Sequence, residues 1–499
     1  MKILFVVSKL YFSEPLGVMQ LSAICKKARH ETKLVSLMDH SIISALDSFN
    51  PDLICYSTMT SDEKLFINAD VTVCNWLSTQ GKIVPRIMGG PHPTFFPEVL
   101  KKLDLDAICQ GDGDRAIVSI LDRIESGSDF HHIPNVLVKN GGELVKEIIN
   151  DLDSLPSLDR DILYESMPGL QKVGVRSFMS QRGCPYKCTY CFNHAYNKFF
   201  KGERRKLIRR RSVDNLIAEI QEVIEKFPTV RFIRFGDDVF VIKQDAWLEE
   251  FAEKYRRKIG IPFYCLIRAN SLTEPVAKLL NRAGCHSVAM SIETGSPSIR
   301  EVVLKRKMSD EMLIDSFELA RKFKMKVYAN TMLGLPGTTL EDDFNSFLFA
   351  KKARIAAPTF GIFQPFPRTE LTQYALENGF LQANYDFNNT FSSQSPLSVY
   401  SQREKETQVH LARLATLFCF LPDCFIPLLQ RLIRIKLTPL YSLIGTFVFS
   451  YLMSTKIFPG AYPRNPFFFL KNAYIAITYS LFADTSQSDV ERPAKEKSL

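Results

Sequence analysis

Hydrophobic residues follow two alternating patterns along the first 385 residues of the chain. Short apolar runs such as residues 2–8 are typical of buried strands, and stretches with apolar residues at three-to-four spacing, such as residues 17–28, are typical of helices. Because strands and helices alternate, the pattern predicts parallel, doubly wound sheets that bind ligands at the carboxyl ends of their strands. The predicted fold class is therefore α/β.

Changes in this pattern divide the chain into five segments. Residues 1–150 predict an amino-terminal doubly wound, Rossmann-like domain, and residues 151–169 predict a linker. Six strand–helix repeats in residues 170–385 predict a partial (β/α)6 barrel, since a closed barrel needs eight. Residues 386–488 predict a mainly helical, hydrophobic carboxyl-terminal region, and residues 489–499 a disordered tail. The barrel helices are predicted at residues 213–226, 245–259, 274–283, 310–323 and 340–353.

Composition fits an ordinary globular protein. The 499 residues are 46% hydrophobic and 23% charged, which excludes a mostly disordered chain. The eleven cysteines are an odd number and mostly scattered, so they form no disulfide framework, and the chain begins directly with a strand; both features predict a cytoplasmic protein. The net charge of +9 is concentrated at residues 201–211, which we interpret as a solvated loop over an anionic substrate or membrane surface rather than a nucleic-acid site.

The densest candidate chemistry is a loop in which Cys184, Cys188 and Cys191 stand at C-x3-C-x2-C spacing. Thiolates suit iron–sulfur clusters and zinc, and so short a loop can turn three of them toward one metal centre. The next cysteine is Cys265, so a four-iron cluster on this loop would keep one iron open to a small molecule, as catalytic metal sites do. The alternatives are a zinc knuckle with His194 as fourth ligand, or three unrelated buried cysteines.

This loop resembles the cluster loop of the radical S-adenosylmethionine (SAM) enzymes, in which the same spacing comes with an aromatic residue before the third cysteine, here Tyr190. The resemblance implies a [4Fe–4S] cluster on the three cysteines. It also implies that the open iron holds the amino and carboxylate groups of SAM.

Three later segments resemble radical SAM motifs in the same order: Gly236-Asp-Asp, Ser291-Ile-Glu-Thr-Gly-Ser and Gly334-Leu-Pro-Gly-Thr-Thr. Thr338 stands where relatives usually have glutamate. Carboxylates at strand ends can bind ribose hydroxyls or an ammonium group, and a glycine loop admits an adenine or ribose, although a solvated or helix-capping carboxylate is the simpler alternative. The residues implied to contact SAM are Tyr190, Asp237, Asp238, Arg268, Glu293, Ser296, Gly334 and Gly337.

Two glycine-rich loops follow strands of the amino-terminal domain, at residues 89–94 and 110–114. Together they resemble the cobalamin-binding domain that precedes many radical SAM domains, with Asp112 and Asp114 in place of the commoner glutamates. The chain has no Asp-x-His-x-x-Gly motif, so the resemblance implies a corrinoid bound without an axial histidine from the protein. The implied cobalamin-binding residues are Gly89, Gly90, His92, Thr94, Gly111 and Gly113.

The resemblance implies cobalamin-dependent methylation of an unactivated carbon. In such enzymes the cluster donates one electron to SAM, and the 5′-deoxyadenosyl radical that results abstracts hydrogen from the substrate. The implied partners are a small-molecule or lipid-like substrate and an electron donor such as flavodoxin or ferredoxin. Radical cyclisation or rearrangement is the alternative outcome, and a non-catalytic cobalamin or redox sensor is the alternative of another class.

The carboxyl-terminal region leaves three interpretations open. Residues 437–455 carry no charge, and this run is about long enough to span a bilayer. Pro439 and several hydroxyl residues make the run only moderately apolar. A second aromatic-rich segment follows at residues 466–482. The region could cap the barrel, attach peripherally to a membrane surface or span the bilayer; we predict the first two before the third.

Overall fold

The computed structural model describes residues 1–9, 14–141, 143–201, 208–385 and 394–460. Its described residues form two compact units, the first drawn from residues 1–172 and 199–211 and the second from residues 173–198 and 212–460. The predicted disordered tail at residues 489–499, the aromatic-rich segment at 466–482 and residues 202–207 of the basic run lie outside the described residues.

The first unit is built on a six-stranded sheet with strand order β2-β1-β3-β4-β5-β6. The pairs among β1 to β5 are parallel, and β6 runs antiparallel to β5. Its strands are β1 (Lys2–Val7), β2 (Glu31–Ser36), β3 (Leu53–Ser57), β4 (Arg86–Gly89), β5 (Ala107–Cys109) and β6 (Val136–Val138). Its helices are α1 (Leu16–Lys27), α2 (Ile42–Phe49), α3 (Glu63–Gln80), α4 (Pro91–Phe95), α5 (Val99–Lys102), α6 (Ala116–Glu125) and α7 (Asp161–Ser166).

Residues 151–169, which the sequence indicated as a linker, hold α7 and are attached to α1. Asp159 accepts a hydrogen bond from Ser22 at 2.5 Å and pairs with Lys26 at 2.8 Å, and the Gln20 amide donates to the Pro156 carbonyl at 2.9 Å. The stretch is therefore part of the first unit.

The second unit is built on six parallel strands in the order β14-β13-β12-β11-β10-β7, an open sheet with one helix between most neighbours. The α/β prediction with a partial barrel is confirmed. From residue 173 onward the strands are β7 (Val175–Phe178), β8 (Gln181–Arg182), β9 (Arg209–Arg210, in the first unit), β10 (Phe232–Phe235), β11 (Phe263–Leu266), β12 (Cys285–Ala289), β13 (Lys326–Leu333) and β14 (Ala357–Ile362). The helices are α8 (Phe192–Phe199), α9 (Val213–Lys226), α10 (Ala246–Lys258), α11 (Glu274–Ala283), α12 (Asp310–Lys322), α13 (Leu340–Lys352), α14 (Glu370–Glu377), α15 (Gln402–Phe418), α16 (Ile426–Leu432) and α17 (Thr438–Leu452).

The carboxyl-terminal helices pack on the second sheet. Leu411 and Leu414 of α15 share a core with Leu333 of β13 and Ile362 of β14. Helices α15 and α17 cross closely at Gly445, where a Cβ would lie 2.8 Å from the carbonyl oxygen of Arg413. A helical region that caps the barrel is thus what the structure shows for residues 394–460.

Helix α17 leads into a π-helical turn, Met453–Ile457, that fills the base of the second sheet. The His286 ring lies 2.9 Å from the Lys456 carbonyl, and the Ser287 hydroxyl donates to the Ile457 carbonyl at 2.7 Å. The ring of Phe458 packs 5.7 Å from Phe232. Among the described residues no helix is both long and apolar enough to cross a bilayer.

Candidate functional sites

The three motif cysteines lie on the loop that joins β8 to α8. Gly183 opens the loop with a φ of +98°, the Cys191 amide donates to the Cys188 carbonyl at 3.1 Å, and the Asn197 side chain donates to the Cys184 carbonyl at 2.8 Å. The loop therefore folds back on itself and keeps the thiols together. All three are free, with Cys188 buried and the other two partly exposed.

The donor set of this loop fits an iron–sulfur cluster. Burial raises the pKa of Cys184 to about 12, and it also raises the pKa of Cys191, so both thiols stay protonated unless a cationic centre converts them to thiolates. Across the described residues, no three His, Cys, Asp or Glu side chains are arranged to hold a single ion, and a four-iron cluster is larger than one ion. Three free thiols in one loop supply the soft ligands that such a cluster takes.

His194 is engaged elsewhere and does not complete a zinc knuckle in this structure. Its Nε2 lies 2.9 Å from Glu370 Oε1 at the start of α14. The Glu370 carboxylate also accepts hydrogen bonds from Lys198 and, at 2.8 Å, from Lys305. Burial acts to raise the pKa of Glu370, but these three partners hold it at about 2. The carboxylate therefore ties α8, α14 and residue 305 together around the cysteine loop.

A second set of bonds fixes the middle of the loop. The Thr189 hydroxyl donates to the Val303 carbonyl at 2.8 Å, and the Leu371 amide donates to the Thr189 carbonyl at 3.0 Å. Val303 ends a π-helical turn, Ile299–Val303, a form that is rare and often found at functional sites. Sequence reasoning missed Thr189 and Glu370, because nothing in their spacing marks them.

Tyr190 is joined to the strand-end residue Glu293. The Tyr190 hydroxyl donates to Glu293 Oε1 at 2.7 Å, and Arg306 donates to the same hydroxyl at 3.0 Å and lies 3.2 Å from that oxygen. Glu293 Oε2 makes no hydrogen bond to the described residues. Its backbone has a φ of +68°, a conformation that side chains rarely adopt and that is concentrated at binding sites.

Arg268 is a buried cation with spare donor capacity. It stacks on the Tyr186 ring, with its guanidinium carbon 4.2 Å from the ring centroid, and its Nε has no hydrogen-bond partner among the described residues. Burial, with Arg306 nearby, lowers the pKa of Arg268, whereas Cys188 acts in the opposite direction. The side chain thus lies near the cysteine loop and is available to an anion.

The two aspartates after β10 differ in their surroundings. Asp237 is buried and accepts hydrogen bonds from the Ser180 amide, the Gln181 amide and the Ser180 hydroxyl at 2.8, 2.7 and 3.0 Å. Its carboxylate therefore braces the strand that leads to the cysteines. Asp238 is exposed, and its charge acts on Cys184 and Cys191, so it faces the site.

The remaining residues expected to contact SAM lie in turns of the backbone. Gly334 and Gly337 have φ values of +66° and +85°, which suit glycine. Ser296 is half-buried in the turn before Arg300, whose Nε and Nη2 donate to the Thr294 carbonyl at 3.1 and 2.9 Å. Gly295 beside it has no room for a side chain, since a Cβ would lie 2.7 Å from Ser346 Cα.

In the first unit, Thr94 connects the two glycine loops. Its hydroxyl donates to the Gly90 carbonyl at 2.8 Å and accepts from the Gly111 amide at 3.1 Å. A Cβ at Gly90 would lie 2.8 Å from the Thr58 carbonyl oxygen, and one at Gly111 would lie 2.4 Å from the Phe200 ring. At both glycines a side chain would therefore meet another part of the first unit, so the chain itself requires glycine there.

The other loop residues are mostly internal. His92 is buried and stacks on Phe96 at 5.1 Å, so it shapes its loop. Gly89 and Gly113 both lie next to Cys109. A Cβ at Gly89 would lie 3.8 Å from Cys109 Cβ, and a Cβ at Gly113 would lie 3.6 Å from Cys109 Sγ.

The carboxyl edge of β3 offers groups that fit a corrinoid. The hydroxyls of Thr58 and Thr60 are buried without hydrogen-bond partners in the described chain, and Met59 between them is 57% exposed. Unpaired buried hydroxyls favour a polar ligand, and an exposed thioether favours an apolar one. A corrinoid presents both, as amide side chains around an apolar ring. The sequence signal was only the position of these residues after a strand.

Two family models match different parts of the chain. Residues 3–121 match the B12 binding domain, and residues 178–348 match the Radical SAM superfamily.

Curated relatives are also similar to the chain. An uncharacterised methyltransferase of Pyrococcus horikoshii is 27% identical over 379 residues, which cover 74% of this chain and 79% of the relative. An anaerobic magnesium-protoporphyrin IX monomethyl ester cyclase of Cereibacter sphaeroides is 22% identical over 348 residues, covering 66% of this chain and 54% of the relative.

Among solved structures, the radical SAM methyltransferase TsrM from Kitasatospora setae, with cobalamin and a [4Fe–4S] cluster bound, superposes with a TM-score of 0.66. The match covers 97% of this chain and 99% of that one at 13% identity, which is a likeness of fold. These relatives are named as methyltransferases and a cyclase, so the comparisons support an enzyme rather than a non-catalytic sensor.

Proposed function

The chain belongs to the radical SAM enzymes that carry a B12-binding domain, and on this premise we propose that it methylates an unactivated carbon of a small-molecule or lipid-like substrate. One observation carries the proposal: the second unit gathers around Tyr190 three free thiols, an Arg268 donor and a Glu293 oxygen, and the last two have no hydrogen-bond partner in the part of the chain that the structure describes. The thiols are soft ligands for a cluster. Arg268 and Glu293 are charged partners for the carboxylate and ammonium groups of an amino acid.

The residues of the second unit divide the work of holding the cofactors. Cys184, Cys188 and Cys191 would hold the [4Fe–4S] cluster. Arg268 presents a donor to a carboxylate, while Glu293 and Asp238 present acceptors to an ammonium group or ribose hydroxyls. When bound, SAM and cobalamin supply the radical and the methyl group, and the protein orients the substrate and excludes water.

The test is anaerobic incubation of the reconstituted protein with methyl-deuterated SAM, a cell extract, and either a chemical reductant or flavodoxin. We expect 5′-deoxyadenosine and a product that carries the deuterated methyl group, detected by mass spectrometry. A Cys188→Ala variant is the control and should yield neither. Failure of the wild-type protein to cleave SAM with its cluster loaded would contradict the proposal.

Cyclisation or rearrangement is the second candidate, because one relative is named as a cyclase. It predicts 5′-deoxyadenosine together with a product that has lost hydrogen or been rearranged and carries no deuterium. The same mass analysis separates the two outcomes.

We also propose that α17 contacts an anionic membrane surface. Leu440, Leu443, Phe447 and Tyr451 recur at helical spacing and are each roughly half or more exposed, at 48, 49, 67 and 53%. No charged residue lies between Lys436 and Lys456, and exposed Arg431, Arg434 and Lys436 precede the helix. Basic residues beside an apolar face add about 1 kcal/mol each near anionic lipid, which suits reversible attachment.

Flotation with phosphatidylglycerol-containing vesicles tests this contact. We expect salt-sensitive binding that Phe447→Ser weakens. Ile83→Ser, which removes an even more exposed apolar side chain from the first unit, is the control and should leave binding unchanged. Equal binding by the two variants, or no binding by the wild-type protein, would exclude the proposed face.

A further inference from the structure

The glycine loop at residues 334–338 is held by a residue that follows the six barrel strands. The Tyr400 hydroxyl, just before α15, lies 2.8 Å from the Thr338 carbonyl oxygen and 3.1 Å from that of Leu335. It is also 3.0 Å from the Thr338 hydroxyl, which donates to the Leu335 carbonyl at 2.9 Å. All of these groups are buried, so the bonds are shielded from water.

A second contact reaches the start of the same loop from α15. The Gln408 amide donates to Asp343 Oδ2 at 2.8 Å, and Asp343 Oδ1 accepts from the Gly334 amide at 2.8 Å. A Cβ at Gly334 would lie 3.1 to 3.3 Å from the atoms of the Gln408 amide. Both ends of the loop are thus fixed by the carboxyl-terminal region.

The Thr338 side chain takes part in the same set of bonds. It turns toward Leu335 and Tyr400, and its hydroxyl stabilises the loop from within.

We propose that Tyr400 and Gln408 are positioning residues for SAM, which set its affinity by fixing the backbone of residues 334–338. The inference rests on the proposed function and on the expectation from the sequence that Gly334 and Gly337 contact SAM. The hydrogen bonds of the two side chains go to the loop and to Asp343 and not, among the described residues, to the cysteine loop. We therefore expect cluster loading and turnover at saturating SAM to depend on them little.

The test compares Tyr400→Phe with Tyr441→Phe. Tyr441 is also buried in the carboxyl-terminal region, and its hydroxyl donates to the Leu432 carbonyl at 3.0 Å, so its loss removes a hydrogen bond from the same region without touching the loop. We expect Tyr400→Phe to raise the Kd of SAM about fivefold to tenfold, the loss typical of one buried hydrogen bond. Equilibrium dialysis of labelled SAM with the anaerobic, cluster-loaded protein measures it.

A second pair of variants keeps the inference testable if a variant of the first pair misfolds. Gln408→Leu should weaken SAM binding, whereas Thr416→Val, which removes a buried bond from α15 to the Pro358 carbonyl, should not. Iron content and the unfolding midpoint are measured for all four variants. If the wild-type protein binds SAM and each variant binds it as tightly as its control, the inference is wrong; if the cluster-loaded wild-type protein binds no SAM, the proposed function fails first.

Discussion

Glu293 combines a left-handed backbone conformation with a carboxylate in which only Oε1 is hydrogen-bonded among the described residues. Its amide donates to the Asn330 carbonyl and its carbonyl accepts from Met332, so both flanking bonds hold the φ of +68° in place. Such a conformation costs of order 1–3 kcal/mol and persists only where the surroundings impose it. Arg306 and Tyr190 supply that constraint on one oxygen, and the strained turn leaves the other oxygen without a partner among the described residues.

Asp237 gives a prediction for pH at the same scale. Burial raises the pKa of Asp237 to about 7, against the opposing effect of its three hydrogen bonds. The folded state thus binds the proton more tightly than the unfolded state, so the stabilisation is fully present below the unfolded pKa of about 4 and is lost as the pH rises through about 7. Asp237→Asn should flatten this decline and be the more stable protein at about pH 8.

Unfolding midpoints between about pH 5 and pH 8 measure the effect. Asp214→Asn is the control, because Lys254 holds the pKa of that exposed carboxylate below its ordinary value, outside the window. Parallel curves for the wild type and Asp237→Asn would show that Asp237 is ionised throughout.

At the scale of elements, the sequence predicted most of the second unit. Helices α9 and α11 have the predicted bounds because their ends are marked locally, by the Ser212 cap that accepts from the Asn215 amide and by Gly284 with a φ of +97°. The cysteine loop was predicted from spacing. The contacts of Glu370 and Tyr400 were not, since their partners lie far away in sequence and only the folded chain brings them together.

The π-helical turn after α17 gives the element-scale prediction. Ile457 is fully buried in a cluster with Phe232, Tyr264 and Leu452. Ile457→Ala should lower the free energy of unfolding by about 2–5 kcal/mol, as large-to-small changes in cores do. Phe447→Ala on the exposed face of α17 should change it by roughly 0.5 kcal/mol or less. Denaturant unfolding compares them, and equal effects would mean that the turn is not part of the core.

At the scale of the whole molecule, the first unit gives a prediction about its corrinoid. The first unit has no Asp-x-His-x-x-Gly motif, and its loop histidine, His92, is buried against Phe96. We predict that cob(II)alamin binds without an axial histidine from the protein. Electron paramagnetic resonance should show no nitrogen superhyperfine splitting from such a ligand, in the wild-type protein and in His92→Ala alike. A splitting that disappears in the variant would make His92 the ligand.

The π-helical turn also sets an order of events during synthesis. Strands β7 to β14 leave the ribosome first, but the inner face that Phe232 and Tyr264 present at the base of the sheet is covered only when residues 453–458 arrive. Until then the nascent sheet exposes aromatic surface of the kind that aggregates or recruits chaperones. We therefore expect the cysteine loop to mature after translation of α17, when this aromatic surface is covered.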